Sequence, residues 1–230
     1  MNEDQVFDDR DAAGRALAER LMTYAGRPDV IVLALPRGGV PVGYHVARAL
    51  GAPLDIMVVR KLGLPAQEEL AMGAIASGGV RVLNQEVIDM TGVSPEVIDH
   101  VAAEERRELE RRERAYRGDR PPPDVAGRTV ILVDDGIATG STLRAAVQAL
   151  RERGPAHIVV AVPTAPRAAC EALSRVADDV VCVATPEPFF AISLSYRSFP
   201  QMTDGEVREI LDRAARESRF GHGRGDARAA

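Results

Sequence analysis

Tryptophan is absent, and the four tyrosines and five phenylalanines are few for a chain of 230 residues, so any local crowding of rings stands out. Cysteine occurs only at Cys170 and Cys182, a spacing unlike any zinc pair; a chain of this size needs no cystine framework, and both are expected to be buried or neutral thiols in a reducing compartment. Long hydrophobic runs are missing too. No stretch approaches membrane-spanning length, and the acidic start Met1-Asn2-Glu3-Asp4-Gln5 leads into no apolar segment of the secretory kind, so a cytoplasmic protein without membrane contact is expected. Positive charge is not in excess. A net charge of −5 argues against wholesale nucleic-acid binding, and substrate phosphates would have to be met by local clusters of Arg, Lys and helix ends. His45, His100, His157 and His222 show neither metal spacing nor an evident nucleophile partner. What remains is room for one generous α/β domain or two small ones.

The most informative stretch is Val130-Ile131-Leu132-Val133-Asp134-Asp135-Gly136-Ile137-Ala138-Thr139-Gly140-Ser141-Thr142. An apolar strand ends in two carboxylates, passes through a turn of small and hydroxyl residues, and enters the helical pattern Leu143 to Leu150. Unpaired amides at the helix start, joined by the Thr139, Ser141 and Thr142 hydroxyls, suit a phosphate. The carboxylates do not. They suit the hydroxyls of a diol, or a divalent cation held through water. Other readings fit less well. A plain strand-turn-helix gains little from two adjacent carboxylates that repel. A receiver domain needs its acid pair near the N-terminus and a later strand ending in Asp, whereas His157 to Pro163 runs into Thr164. A dehalogenase-type nucleophile needs a spacer between its acids, which Asp134-Asp135-Gly136 lacks.

Two further turns follow apolar runs. Val30 to Leu35 ends in Pro36-Arg37-Gly38-Gly39, where glycines allow close backbone approach to a ligand and Arg37 offers a cation. Asp55 to Val59 reads as a second strand ending in the cations Arg60 and Lys61. An amphipathic helix is expected from about Arg10 to Ala25, a hairpin over Ala74–Ala76 and Val80–Leu83, and a long charged helix from Ser94-Pro95 to about Tyr116. Arg111, Arg112 and Arg117 on that helix are either a self-paired solvated face or a reach toward phosphate. After the motif, His157 to Pro163, a helix from about Pro166, and Asp179 to Ala184 continue a βαβαβ alternation that predicts a doubly wound, mainly parallel sheet. Phe189, Phe190, Tyr196 and Phe199 make either a packed corner or a stacking platform. Thr203 and Glu206 cap a last helix to about Glu217, and the stretch from Gly221 to the end reads as disordered.

The residues from Val130 to Thr142 resemble the ribose-phosphate-binding motif of the type I phosphoribosyltransferases. Arg37-Gly38-Gly39, Arg60-Lys61-Leu62-Gly63, Tyr116-Arg117-Gly118 and Tyr196-x-x-Phe199 extend the resemblance to a bacterial subgroup of that family whose acceptor is unassigned. The resemblance implies a single domain over residues 1–220, with a lid or helical insertion at 62–120 and a hood with final helix at 186–217. It implies an enzyme that binds 5-phosphoribosyl-1-pyrophosphate with Mg²⁺ and transfers the phosphoribosyl group to a nitrogen acceptor of nucleobase kind, releasing pyrophosphate. Ile137, Ala138, Thr139, Gly140, Ser141 and Thr142 would hold the 5-phosphate. Asp134 and Asp135 would accept from the ribose hydroxyls and hold Mg²⁺, one of them through water. Arg37, Gly38, Gly39 and Lys61, with Arg60 as second choice, would meet the pyrophosphate. A non-catalytic sensor of the same ligand, or a hydrolase using water as acceptor, are the competing functions. Intact Arg37 and Lys61, and the lack of a helix-turn-helix module, favour the enzyme. The acceptor and the pathway stay open, as does the oligomeric state, a homodimer among the arrangements allowed.

Overall fold

The computed structural model describes residues 6–65 and 67–222. The first helix, α1 (Arg10–Arg20), is capped by the Asp9 carboxylate on the Ala12 amide and buries Ala13, Leu17 and Ala18. It precedes β1 (Val30–Ala34), α2 (Gly39–Leu50) and the short β2 (Leu54–Ile56). Further along come β6 (Thr129–Val133), α5 (Ser141–Arg151), β7 (His157–Thr164), α6 (Arg167–Leu173) and β8 (Asp179–Ala184). The five strands form one parallel sheet in the order β2-β1-β6-β7-β8. All five residues of both β1 and β6 are buried, as strands covered on two faces require. Alternation then divides the core. Ile31, Leu33, Val130, Leu132, Ile158 and Val160 pack under α5 and α6, while Val30, Val32, Ile131, Val133 and Val159 pack under α1 and α2.

Between β2 and β6 lies a second unit, in which β3 (Val59–Leu64), β4 (Gln67–Ala76) and β5 (Val80–Leu83) form an antiparallel sheet. The helices α3 (Gln85–Thr91) and α4 (Pro95–Arg117) follow it. Leu62, Met72, Ile75, Ile98, Leu109 and Tyr116 share a core there with Val207 and Leu211 of the last helix, α7 (Asp204–His222). The Thr203–Glu206 capping box is present in both directions, with the Thr203 amide donating to the Glu206 carboxylate and the Glu206 amide to the Thr203 hydroxyl.

Several expectations change. The segment Asp55 to Val59 is not one strand. The main sheet lets go at Ile56, and the Val58 amide donates to the Ser77 hydroxyl while the Ser77 amide donates to the Val58 carbonyl, handing the chain to the hairpin. Arg60 and Lys61 therefore sit inside β3 and not at a strand end of the main sheet. The insertion expected to be helical is sheet in its first part. Cys170 of α6 and Cys182 of β8 face the same core layer and are joined as a disulfide, which removes the argument from free thiols to a reducing compartment. Helix α7 runs on to His222, past the end expected at about Glu217. The tail from Gly223, and Met1 to Gln5, lie outside the described residues. Among the described residues, no helix is long and apolar enough to cross a membrane.

Candidate functional site

Strands β1 and β6 are neighbours, yet α2 leaves β1 on one face and α5 leaves β6 on the other. The crevice above their C-terminal ends is where a doubly wound sheet opens for a ligand. The turn Pro36–Gly38 and the loop Asp134–Gly140 meet in that crevice. A Cβ on Gly38 would fall onto the Asp135 carboxylate, and one on Gly39 would come within 2.8 Å of the Val133 carbonyl and 2.9 Å of the Asp134 Cα. Glycine is required by contact rather than by dihedral angle at both positions. The Pro36–Arg37 peptide bond is cis.

The two acids differ in their surroundings. Asp134 Oδ1 accepts from the Asp135 amide at 2.8 Å, and among the described residues no basic side chain pairs with it. Burial, and then the neighbouring Asp135 charge, push the Asp134 carboxyl well above its ordinary pKa. Asp135 is also raised by burial, but the Arg10 guanidinium opposes the shift. Arg10 Nε lies 2.8 Å from Asp135 Oδ2, and the Tyr196 hydroxyl donates to the Asp135 backbone carbonyl. Tyr196 packs between Phe7 and Phe199, so two of the late aromatics form a corner that supports the acid pair. Phe190, by contrast, is 78% exposed.

Beyond the acids the loop divides. Ile137 turns inward, its side chain in the core and its amide on the Thr164 carbonyl, and so leaves the cradle in which the sequence placed it. Ala138 and Thr139 are exposed, and Gly140 takes the left-handed conformation at φ 75° as the N-cap of α5. Gly140 has no side chain with which to cap that helix, the Ser141 amide reaches only the Thr139 hydroxyl at a long 3.4 Å, and among the described residues the Thr142 amide meets no acceptor. Thr139 Oγ1 and Ser141 Oγ stand 3.1 Å apart on the same rim.

The expected cations separate. Alternation along β3 sends Arg60 to Glu105 on α4, in an ion pair of 2.5 Å, and Lys61 to the other face. There Lys61 shares a cleft of about 580 Å³ with Thr139, Ser141 and Arg144. Arg37 is 40% exposed and stands 3.8 Å from Asp204, whose carboxylate also accepts from the Tyr116 hydroxyl. The α4 arginines are engaged elsewhere. Arg111 and Arg112 both bind Glu108, and Arg117 is buried against Asp55, Glu113 and the Ile56 carbonyl, a structural anchor turned away from solvent. Reading the sequence missed Arg10 and Asp204. The former carried a faint signal as the one cation in Asp8-Asp9-Arg10-Asp11.

Among the described residues no group of three or more His, Cys, Asp or Glu side chains gathers to hold a metal ion, so the donor set here is the two adjacent carboxylates. Carboxylate oxygens in pairs fit the chemistry of a hard divalent ion.

Comparison with known proteins agrees with this geometry. A model of the phosphoribosyl transferase domain matches residues 4–198. The Mycobacterium tuberculosis protein named "Putative phosphoribosyl transferase Rv0571c" is 49% identical over 213 residues, which is 93% of this chain and 48% of that protein, so the chain spans about half the length of such curated relatives. A Roseiflexus protein named "Bifunctional protein PyrR" is 31% identical over 70% of this chain and 72% of its own. The crystal structure of TT1426 from Thermus thermophilus superposes with a TM-score of 0.81 at 41% identity, covering 90% of this chain and 98% of that one. Sheet order, acid pair and family match converge, and the chain belongs to the phosphoribosyl transferase domain family, with the type I fold.

Proposed function

We propose that this protein binds 5-phosphoribosyl-1-pyrophosphate together with Mg²⁺ and transfers its phosphoribosyl group to a nitrogen nucleophile, releasing pyrophosphate. The observation that carries the reading is the contact of Asp134 and Asp135 with Gly38 and Gly39 at the switch point, beside a helix start rimmed by the Thr139 and Ser141 hydroxyls. Carboxylates serve ribose hydroxyls, and the amides and hydroxyls of a helix start serve the 5-phosphate. Ala138 to Thr142 hold that phosphate, and Asp134 and Asp135 orient the ribose. Mg²⁺, held by these acids in part through water, supplies charge neutralisation to the donor phosphates.

Reaction breaks the bond from the anomeric carbon to the pyrophosphate oxygen, which leaves with the electron pair, and forms a bond from that carbon to the acceptor nitrogen. Negative charge gathers on the leaving group, so cations fixed beforehand act most strongly there. Arg37 and Lys61 fill that role, with Arg60 withdrawn to Glu105. Positive charge gathers on the sugar ring, and the site must exclude water from it. The β3–β5 sheet is the element placed to do so, since its Lys61 face and the Thr139–Ser141 rim bound one cleft.

The test measures pyrophosphate release from the donor with Mg²⁺ across purines, pyrimidines and small amines, comparing wild type with Asp135→Asn. Turnover with one acceptor class, abolished in the variant, is the expected result. Donor binding without turnover assigns the site to sensing, turnover without any acceptor assigns it to hydrolysis, and absence of both ends the proposal.

A further inference from the structure

Arg10 is the first residue of α1, where a cation works against the helix dipole, so the helix gains nothing from it. Its sequence neighbours do not explain it either. Asp8 pairs with Arg197, Asp9 caps the Ala12 amide, and Asp11 pairs with His45. Arg10 passes over all three and reaches Asp135, 125 residues away. Once there it is held on three sides. Nε donates to Asp135 Oδ2 at 2.8 Å, one terminal nitrogen donates to the Pro200 carbonyl at 2.8 Å, and the guanidinium lies 3.8 Å from the centre of the Phe199 ring. The two side chains are 11% and 13% exposed, so this is no solvated surface pair.

Charge alone does not account for the arrangement. Of the two adjacent carboxylates, Asp134 is left without a basic partner among the described residues, whereas Asp135 is fixed from both ends, its side chain by Arg10 and its carbonyl by Tyr196. A device serving only to neutralise the pair would sit between them. This one fixes direction. With Oδ2 taken by Arg10 and pressed against Gly38, the carboxylate plane is set and Oδ1 is the oxygen left for a ligand.

We propose that Arg10 is a positioning residue for sugar recognition: by holding Asp135 Oδ2 it presents Asp135 Oδ1 to the hydroxyls of the phosphoribosyl donor, a role that rests on the function proposed above. The N-terminal helix and the 196–200 segment thereby become part of the donor site without touching the donor.

The test is a double-mutant cycle read by calorimetric binding of 5-phosphoribosyl-1-pyrophosphate in Mg²⁺, on wild type, Arg10→Met, Arg10→Lys, Asp135→Asn and Arg10→Met/Asp135→Asn. Arg10→Met is expected to weaken donor binding about tenfold in the wild-type background and less than about twofold when Asp135 is already Asn, because the residue through which it acts is gone. Arg10→Lys keeps the charge but not the fork, and recovers part of the loss. Should Arg10→Met not unfold cooperatively, Arg10→Lys carries the same comparison, with a smaller loss that again vanishes beside Asp135→Asn. An Arg10 effect of equal size in both backgrounds, or none in either, overturns the role while leaving the donor reading intact. A wild type that binds no donor overturns the proposed function, and this role with it.

Discussion

Replacing Gly39 and Gly205 by alanine makes the same chemical change in the first turn of two helices, α2 and α7, and the structure predicts opposite signs. At Gly205 the nearest atom to an added Cβ is the Thr203 hydroxyl at 3.9 Å, so the methyl enters open space. Alanine then gains the usual helix advantage over glycine, about 0.5–1 kcal/mol, a rise in Tm of roughly 1–4 °C for a chain of this size. At Gly39 the same methyl meets the Val133 carbonyl at 2.8 Å and the Asp134 Cα at 2.9 Å, both backbone atoms of the sheet end. Neither moves without shifting β6. Overpacking of this kind costs about 1–3 kcal/mol, so after the helix gain a net loss of about 1–2 kcal/mol and a Tm lower by roughly 2–8 °C are expected. Thermal unfolding followed by circular dichroism reads both, and donor binding should fall in the Gly39 variant alone. A Gly39→Ala protein as stable as Gly205→Ala would refute the close approach of turn and acid pair on which the site rests.

The remaining predictions concern charge. Asp134→Asn should raise Tm at neutral pH while weakening donor binding, because a carboxyl whose pKa is raised in the fold stabilises it only while protonated and costs stability as pH rises through its folded value; a lowered Tm would contradict this. Burial, then the bond to Asp204, push the Tyr116 hydroxyl up to about 12. Its stabilising effect is full below the unfolded value of 10.0 and is lost as pH climbs to the folded value, so Tyr116→Phe should flatten the alkaline fall in Tm and cost about 1 kcal/mol at pH 7. An unchanged alkaline profile would remove Tyr116 as its cause. Lys61→Ala should weaken donor binding with little change in Tm, whereas Arg60→Ala should leave binding near wild type and cost at most about 1 kcal/mol of stability through its pair with Glu105. The reverse pattern in calorimetry and melting would mean that β3 presents its other face.

The motif from Val130 to Thr142 was legible in the sequence because everything that shapes it is local: an apolar run, adjacent acids, a glycine at positive φ, and a helix start. The main sheet was legible for a similar reason, since strands buried on both faces need unbroken apolar runs. Features decided by distant partners were not. Asp55 to Val59 reads as one strand until Ser77 captures Val58. Which of Arg60 and Lys61 faces the cleft depends on register with β4, where Arg60 lies opposite Ile75 and Lys61 opposite Ala74. Ile137 looks like part of a phosphate loop but is claimed by the core and the Thr164 carbonyl. The link from Arg10 to Asp135 joins the first helix to a strand end near mid-chain, and no local pattern records it.

The central claim is that this crevice binds a phosphoribosyl diphosphate through a divalent ion. Isothermal titration of wild type with 5-phosphoribosyl-1-pyrophosphate, run with Mg²⁺ and again with a chelator, tests it most directly. Saturable binding at one site per chain that is lost on chelation, and weakened in both Asp134→Asn and Lys61→Ala, is the predicted result. No binding with Mg²⁺, or binding indifferent to all three changes, would contradict the account.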